Sequence, residues 1–77
     1  MEGVDVQYMV KMKLHMLLDK YRISQRQLAQ ETHIRYASIN SYVNNSYKHL
    51  VRSHLDVLCT YFNCEISDLI EYKKDKP

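Results

Sequence analysis

Hydrophobic positions along the chain change their period once, near Val10. Before it, Val4, Val6, Tyr8 and Val10 alternate with Asp5, Gln7 and Met9, the two-residue repeat of a short strand. From there Val10, Leu14, Leu17, Leu18 and Tyr21 recur at helical spacing on one face, which predicts a helix over 10–21. Ser24 followed by Gln27 is a capping box. The Ser hydroxyl can accept the backbone N–H of Gln27, whose side chain can reach back, so a second helix is expected over 25–32. Its inner face is Leu28 with Ala29, the latter small enough for a close helix approach. A third helix is expected over 36–44, with Ile39, Tyr42 and Val43 on one side and Ala37, Asn40, Ser41 and Asn44 on the other. Nine residues with so polar an outer face form only a marginal helix alone, so neighbours must hold it.

Residues 47–51 form a connection. A fourth helix follows over 52–62, with Leu55, Leu58, Cys59 and Phe62 inward and Asn63 at its end. A last short helix over 66–70 buries Ile66 and Leu69, and EYKKDKP reads as a frayed, charged tail. The pattern predicts an all-α, five-helix domain over 10–72, with an N-terminal arm over 1–9 that includes the short strand, and a tail over 73–77.

The junction between the second and third helices lacks glycine, and the only glycine of the chain is Gly3. Two short helices joined by a tight turn form a helix-turn-helix pattern. Such a turn commonly holds one residue at positive φ, where glycine is favoured. His, Asn and Asp are the other types enriched there. His33 stands at the turn and Asn45 just past the third helix, so both are expected in the left-handed region. A metal or catalytic role for His33 is the weaker reading, since a turn explains it.

Length and composition narrow the function. With 77 residues one domain is expected. No secretory leader and no apolar run near the roughly 20 residues of a membrane span is visible, so a cytoplasmic protein is expected. Cys59 and Cys64 stand five apart, which matches neither a metal nor a redox motif, and they read as small buried residues. His15, His33, His49 and His54 show no ligand spacing, and no phosphate loop or paired carboxylates stand out. No metal, cofactor, catalytic residue or enzymatic activity is expected.

Net charge is +2, unevenly spread. Residues 20–54 carry Lys20, Arg22, Arg26, Arg35, Lys48 and Arg52 against Glu31 alone, a net +5; residues 1–19 carry −1 and residues 55–77 carry −2. The positive excess coincides with the helix-turn-helix stretch and suggests a polyanionic partner, with a solvated basic face that binds nothing as the equal alternative on charge alone.

The stretches ISQRQLAQETHIRYASI (23–39) and LDVLCTYFNCEISDLI (55–70) resemble the Cro/CI-type helix-turn-helix family, also called the XRE family. The likeness covers about residues 10–72 and is strongest to short, single-domain regulators of phages and low-GC Gram-positive bacteria. Its most specific marks are Ser24–Gln25, Leu28–Ala29 and the Ile34/Ile39 pair. His33 and Asn45 replace the usual glycines, and Arg35 stands where a small capping residue is usual. Leu18 and Val43 occupy positions where many members pair an arginine with a glutamate, and an apolar pair can replace a buried ion pair without loss.

The resemblance implies a lambda-repressor-like fold and binding to a double-stranded DNA operator, with the third helix in the major groove. The base-reading candidates are then Arg35, Tyr36, Ala37, Asn40 and Ser41. Asn40 suits adenine N6/N7, Ala37 a thymine methyl, and Arg35 guanine O6/N7 or a phosphate. The phosphate-binding candidates are Arg22, Gln25, Arg26, Asn44, Tyr47 and Lys48, with Gln25 assigned by the resemblance. A transcriptional repressor acting as a homodimer, at least on DNA, is the leading expectation. Met9, Met12 and Met16 read as a second apolar stripe on the first helix, suited to an interface or to cover by the C-terminal tail. The alternative is a protein-interaction module of the same fold, such as an antirepressor or an antitoxin-like partner. It should expose large apolar residues on the groove face, where only Tyr36 qualifies. RNA binding lacks a visible stacking platform.

Overall fold

The computed structural model describes residues 7–75. In chain order the elements are β1 (Gln7–Met12), α1 (Leu14–Tyr21), α2 (Gln25–Thr32), α3 (Tyr36–Asn44), α4 (Arg52–Phe62), α5 (Ile66–Leu69) and β2 (Ile70–Asp75). The expected strand is present, with Val4 and Val6 outside the described residues. It pairs antiparallel with β2 in the register Gln7↔Asp75 to Met12↔Ile70. The expectation of a frayed tail after α5 is therefore corrected. Among the described residues five helices pack together, and a two-stranded sheet pairs β1 with β2.

Helices α2, α3 and α4 have the bounds that periodicity and capping predict. α1 starts four residues later than expected, because Val10 and Met12 satisfy both a strand and a helix period and β2 decides between them. Beyond the strand pairing, the Asn45 side chain takes the N–H and C=O of Met12, and Lys13 N–H bonds to Leu69 O at 2.6 Å. With these groups engaged outside a helix, the helical ladder begins only at Leu14. The methionine stripe is lost with it. Met12 is 1% exposed in the core, Met9 lies in β1, and Met16 is exposed on α1.

Every one of the first four helices ends on a non-glycine residue in the left-handed region. These are Arg22 (φ 55°), His33 (φ 62°), Asn45 (φ 55°) and Asn63 (φ 51°). The conformations expected at His33 and Asn45 are present, and Asn63 ends α4 as predicted; Arg22 had no such signal. The Ser24 cap is present, its Oγ accepting from Gln27 N at 3.0 Å, but the box is half made. Gln27 Nε2 donates to Glu31 at 3.0 Å instead of reaching back. The full reciprocal box occurs at α5, between Glu65 and Asp68.

The core consists of Met12, Leu14, Leu17, Leu18, Leu28, Ile34, Ile39, Tyr42, Leu58, Phe62 and Leu69. Val43 packs against the cluster that contains Leu18, so the apolar replacement of an ion pair sits at the core as expected. Ala29, Leu55 and Cys59 also pack against it, half-buried. Cys59 and Cys64 are free and half-buried rather than fully buried, and burial pushes the Cys64 thiol up. Three expected core residues lie outside. Val10 faces out with its cross-strand neighbour Tyr72. Tyr21 is half exposed and stacks on Phe62 with ring centroids 5.5 Å apart. Ile66 is 48% exposed, since it opens a one-turn helix and its side chain leans N-terminally, off the body.

Candidate nucleic-acid interface

The Ser24 cap orients the first turn of α2, and the left-handed His33 turns the chain into α3. Its N–H donates to Ala29 O at 2.9 Å, and Thr32 Oγ1 donates to Leu28 O at 2.7 Å, so the last turn of α2 is tied back on itself. Ile34, 5% exposed, pins the turn to the core. Ile39 and Tyr42 then bury the inner side of α3, and the Tyr42 hydroxyl bonds His54 Nδ1 at 2.6 Å, tying α3 to α4. The opposite side of α3 is left to polar residues.

That side carries a chain of amides. Asn44 Nδ2 donates to Asn40 Oδ1 at 3.2 Å, and Asn40 Nδ2 donates to Gln25 Oε1 at 2.9 Å. The first residue of α2 thereby holds the middle of α3. An asparagine amide has two N–H donors and two acceptor sites. These contacts use one of each, so Asn40 keeps one donor and one acceptor.

Beside this chain the Arg26 guanidinium lies over the Tyr36 ring, 5.5 Å from its centroid. Such a contact is worth about 0.5–1 kcal/mol at an exposed site, enough to bias both side chains but not to bury them. Arg35 occupies the N-cap of α3, exposed and without a side-chain capping bond. An arginine here forgoes the roughly 1 kcal/mol of a Ser, Thr, Asn or Asp cap and sets a cation against the positive helix end. Stability alone does not favour it.

The contacts bring Gln25 to Asn40, Asn40 to Asn44, and Arg26 to Tyr36, while Arg35 stands exposed at the N-cap of α3. Ala37 is exposed, while the half-buried Ser41 turns its hydroxyl back to Ser38 O at 2.8 Å. Arg22 and Lys48 are exposed on the flanking connections. Tyr47 is drawn elsewhere. It is half-buried, its hydroxyl donates to Val10 O at 2.6 Å, and burial pushes its phenol up. The sequence pattern did not indicate that Asn45 binds β1; the only signal was an asparagine at a helix end.

Among the described residues no group of His, Cys, Asp and Glu is placed to hold a metal ion, and no helix is long and apolar enough to cross a membrane. No curated protein matches the chain significantly. The family model of the Cro/C1-type HTH DNA-binding domain matches residues 13–75, which takes in α1 to α5 and the whole of β2. With the helix-turn-helix geometry of α2 and α3 in place, the chain belongs to the Cro/C1-type HTH DNA-binding domain family.

Proposed function

We propose that the protein is a sequence-specific, double-stranded-DNA-binding transcriptional regulator. It acts in the cytoplasm as a repressor, with α3 in the major groove. The observation that carries this reading is the amide chain Gln25–Asn40–Asn44 on the polar side of α3. The donor and acceptor left on Asn40 are the pair that adenine N7 and N6 require. Arg35 enters the same groove toward guanine or a phosphate. Tyr36, set by Arg26, meets a thymine methyl or a phosphate, and Ala37 suits a thymine methyl. Ser41 contributes at the margin. Arg22, Gln25, Arg26, Asn44 and Lys48 grip the backbone, with Tyr47 at the edge of that set. One helix reads few base pairs, so a homodimer on a two-fold site supplies the specificity.

The protein-interaction alternative gains nothing from this surface. Its one large exposed apolar candidate, Tyr36, lies under Arg26. Selection of genome-derived duplexes with the purified protein, followed by footprinting, tests the proposal. The expected result is one enriched motif protected as two half-sites about one helical turn apart. Enrichment of no sequence above background would overturn it.

A further inference from the structure

Asn45 performs two separate tasks. Its backbone (φ 55°, ψ 38°) closes α3 in the left-handed region. Its side-chain amide reaches back 33 residues to β1, where Oδ1 accepts from Met12 N–H at 2.8 Å and Nδ2 donates to Met12 O at 3.2 Å. An amide that both accepts from and donates to one strand residue imitates the peptide group of a neighbouring strand. Two residues along the same strand, the Tyr47 hydroxyl caps Val10 O at 2.6 Å. The exit of α3 thus lies along β1 where a third strand would lie. Glycine meets the left-handed demand at this position as well as asparagine does. It cannot make the second contact.

We infer that Asn45 is a positioning residue for DNA reading, clamping the C-terminal end of α3 to the terminal sheet so that the sheet sets the pose of the helix in the groove. This rests on the reading of α3 as the groove helix. Gln25 holds the middle of α3 through Asn40, and Asn45 holds its end. β1 is a firm anchor because the Met12 side chain is in the core and Lys13 N–H bonds Leu69 O just before β2. Releasing the clamp leaves the C-terminal end of α3 held to the rest of the fold by the buried Tyr42 and its bond to His54, and loosens the turn beyond them. A bidentate base contact depends steeply on distance and angle, whereas attraction to the phosphates does so far less. The clamp therefore acts on specificity more than on overall attraction.

The test compares wild type, Asn45→Gly, Asn45→Asp and Asn40→Ala. The probes are the duplex enriched by selection and a scrambled duplex of equal length and base composition. Affinities are measured at a temperature where circular dichroism shows each variant folded, and the readout is the specific-to-non-specific ratio. Asn45→Gly should lower the ratio on the order of threefold to tenfold, the range one or two net hydrogen bonds allow. Affinity for the scrambled duplex should stay constant, which a role in stability alone does not explain. Asn45→Asp tolerates the left-handed region and still accepts from Met12 N–H, but cannot donate to Met12 O. Its ratio should fall less, and it decides the question if the glycine variant does not fold. The inference is overturned if Asn40→Ala lowers the ratio and both Asn45 variants leave it unchanged. If Asn40→Ala leaves the ratio unchanged, α3 is not the reading helix and the positioning role falls with that reading.

Discussion

His33 and Asn45 both stand left-handed at helix ends, yet replacing each by glycine should have opposite consequences. His33 is exposed at φ 62° and ψ 22°, and its ring makes no hydrogen bond among the described residues. The left-handed conformation costs a non-glycine residue about 1–2 kcal/mol. Histidine is among the types that tolerate it, which places it near the low end of that range. Glycine removes that cost but loosens the unfolded chain, which takes back about 0.4–1 kcal/mol. The net effect of His33→Gly is between neutral and about 0.6 kcal/mol stabilising. For a domain of this size 1 kcal/mol moves Tm by about 4–8 °C. His33→Val should cost about 1 kcal/mol relative to histidine, because a β-branched residue fits positive φ worst and takes the top of that range. Leaving that conformation would break the bond to Ala29 O and pull Ile34 from the core. Thermal melting and affinity for the selected duplex, measured on both variants, check this. Both should keep the DNA preference while folded. If the glycine variant is fully folded and loses specific binding, His33 is a contact residue and the turn argument is wrong.

Duplex binding should weaken steeply with salt, log K falling linearly with log salt concentration, given the net +5 over residues 20–54; affinities that do not change between low and moderate salt would refute the electrostatic reading. Asn40→Ala should cost about 1–3 kcal/mol on the preferred site and blur one base position. Gln25→Ala should weaken binding on every sequence and also loosen that same base, because Gln25 Oε1 holds the Asn40 amide; competition assays with single-base variants of the site separate the two effects, and a loss at a base unaffected by Asn40→Ala would contradict the coupling. Glu31 accepts from the Tyr61 hydroxyl and from Gln27, and these contacts, Tyr61 first, hold its carboxyl below the ordinary carboxylate range. A depressed carboxyl stabilises above its unfolded range, and the contribution is lost as pH falls through the folded value. Tyr61→Phe should therefore lower Tm near neutrality and converge on wild type in acid, and a constant offset across the whole pH series would disprove the link.

The central helices were legible because their signals are local. Ser24 caps α2 through an oxygen three residues from its donor, and the ends of α2 and α3 coincide with His33 and Asn45, whose side chains tolerate positive φ. Burial of Leu28, Ile39, Tyr42, Leu58 and Phe62 follows from a period of 3.6 that no distant contact needs to supply. The termini were decided by the tertiary structure. The hydrogen bonds of a strand go to a partner, and β1 finds its partner at Ile70–Asp75, about 60 residues away. Val10 and Met12 fit a helix and a strand equally in sequence, and only that pairing selects the strand. The same holds for the site. Asn40 and Gln25 could be placed on their helices, and Asn45 just past the end of α3, from the sequence. That one amide meets Gln25 and another clamps Met12 depends on how α2, α3 and β1 pack, which a one-dimensional pattern does not contain.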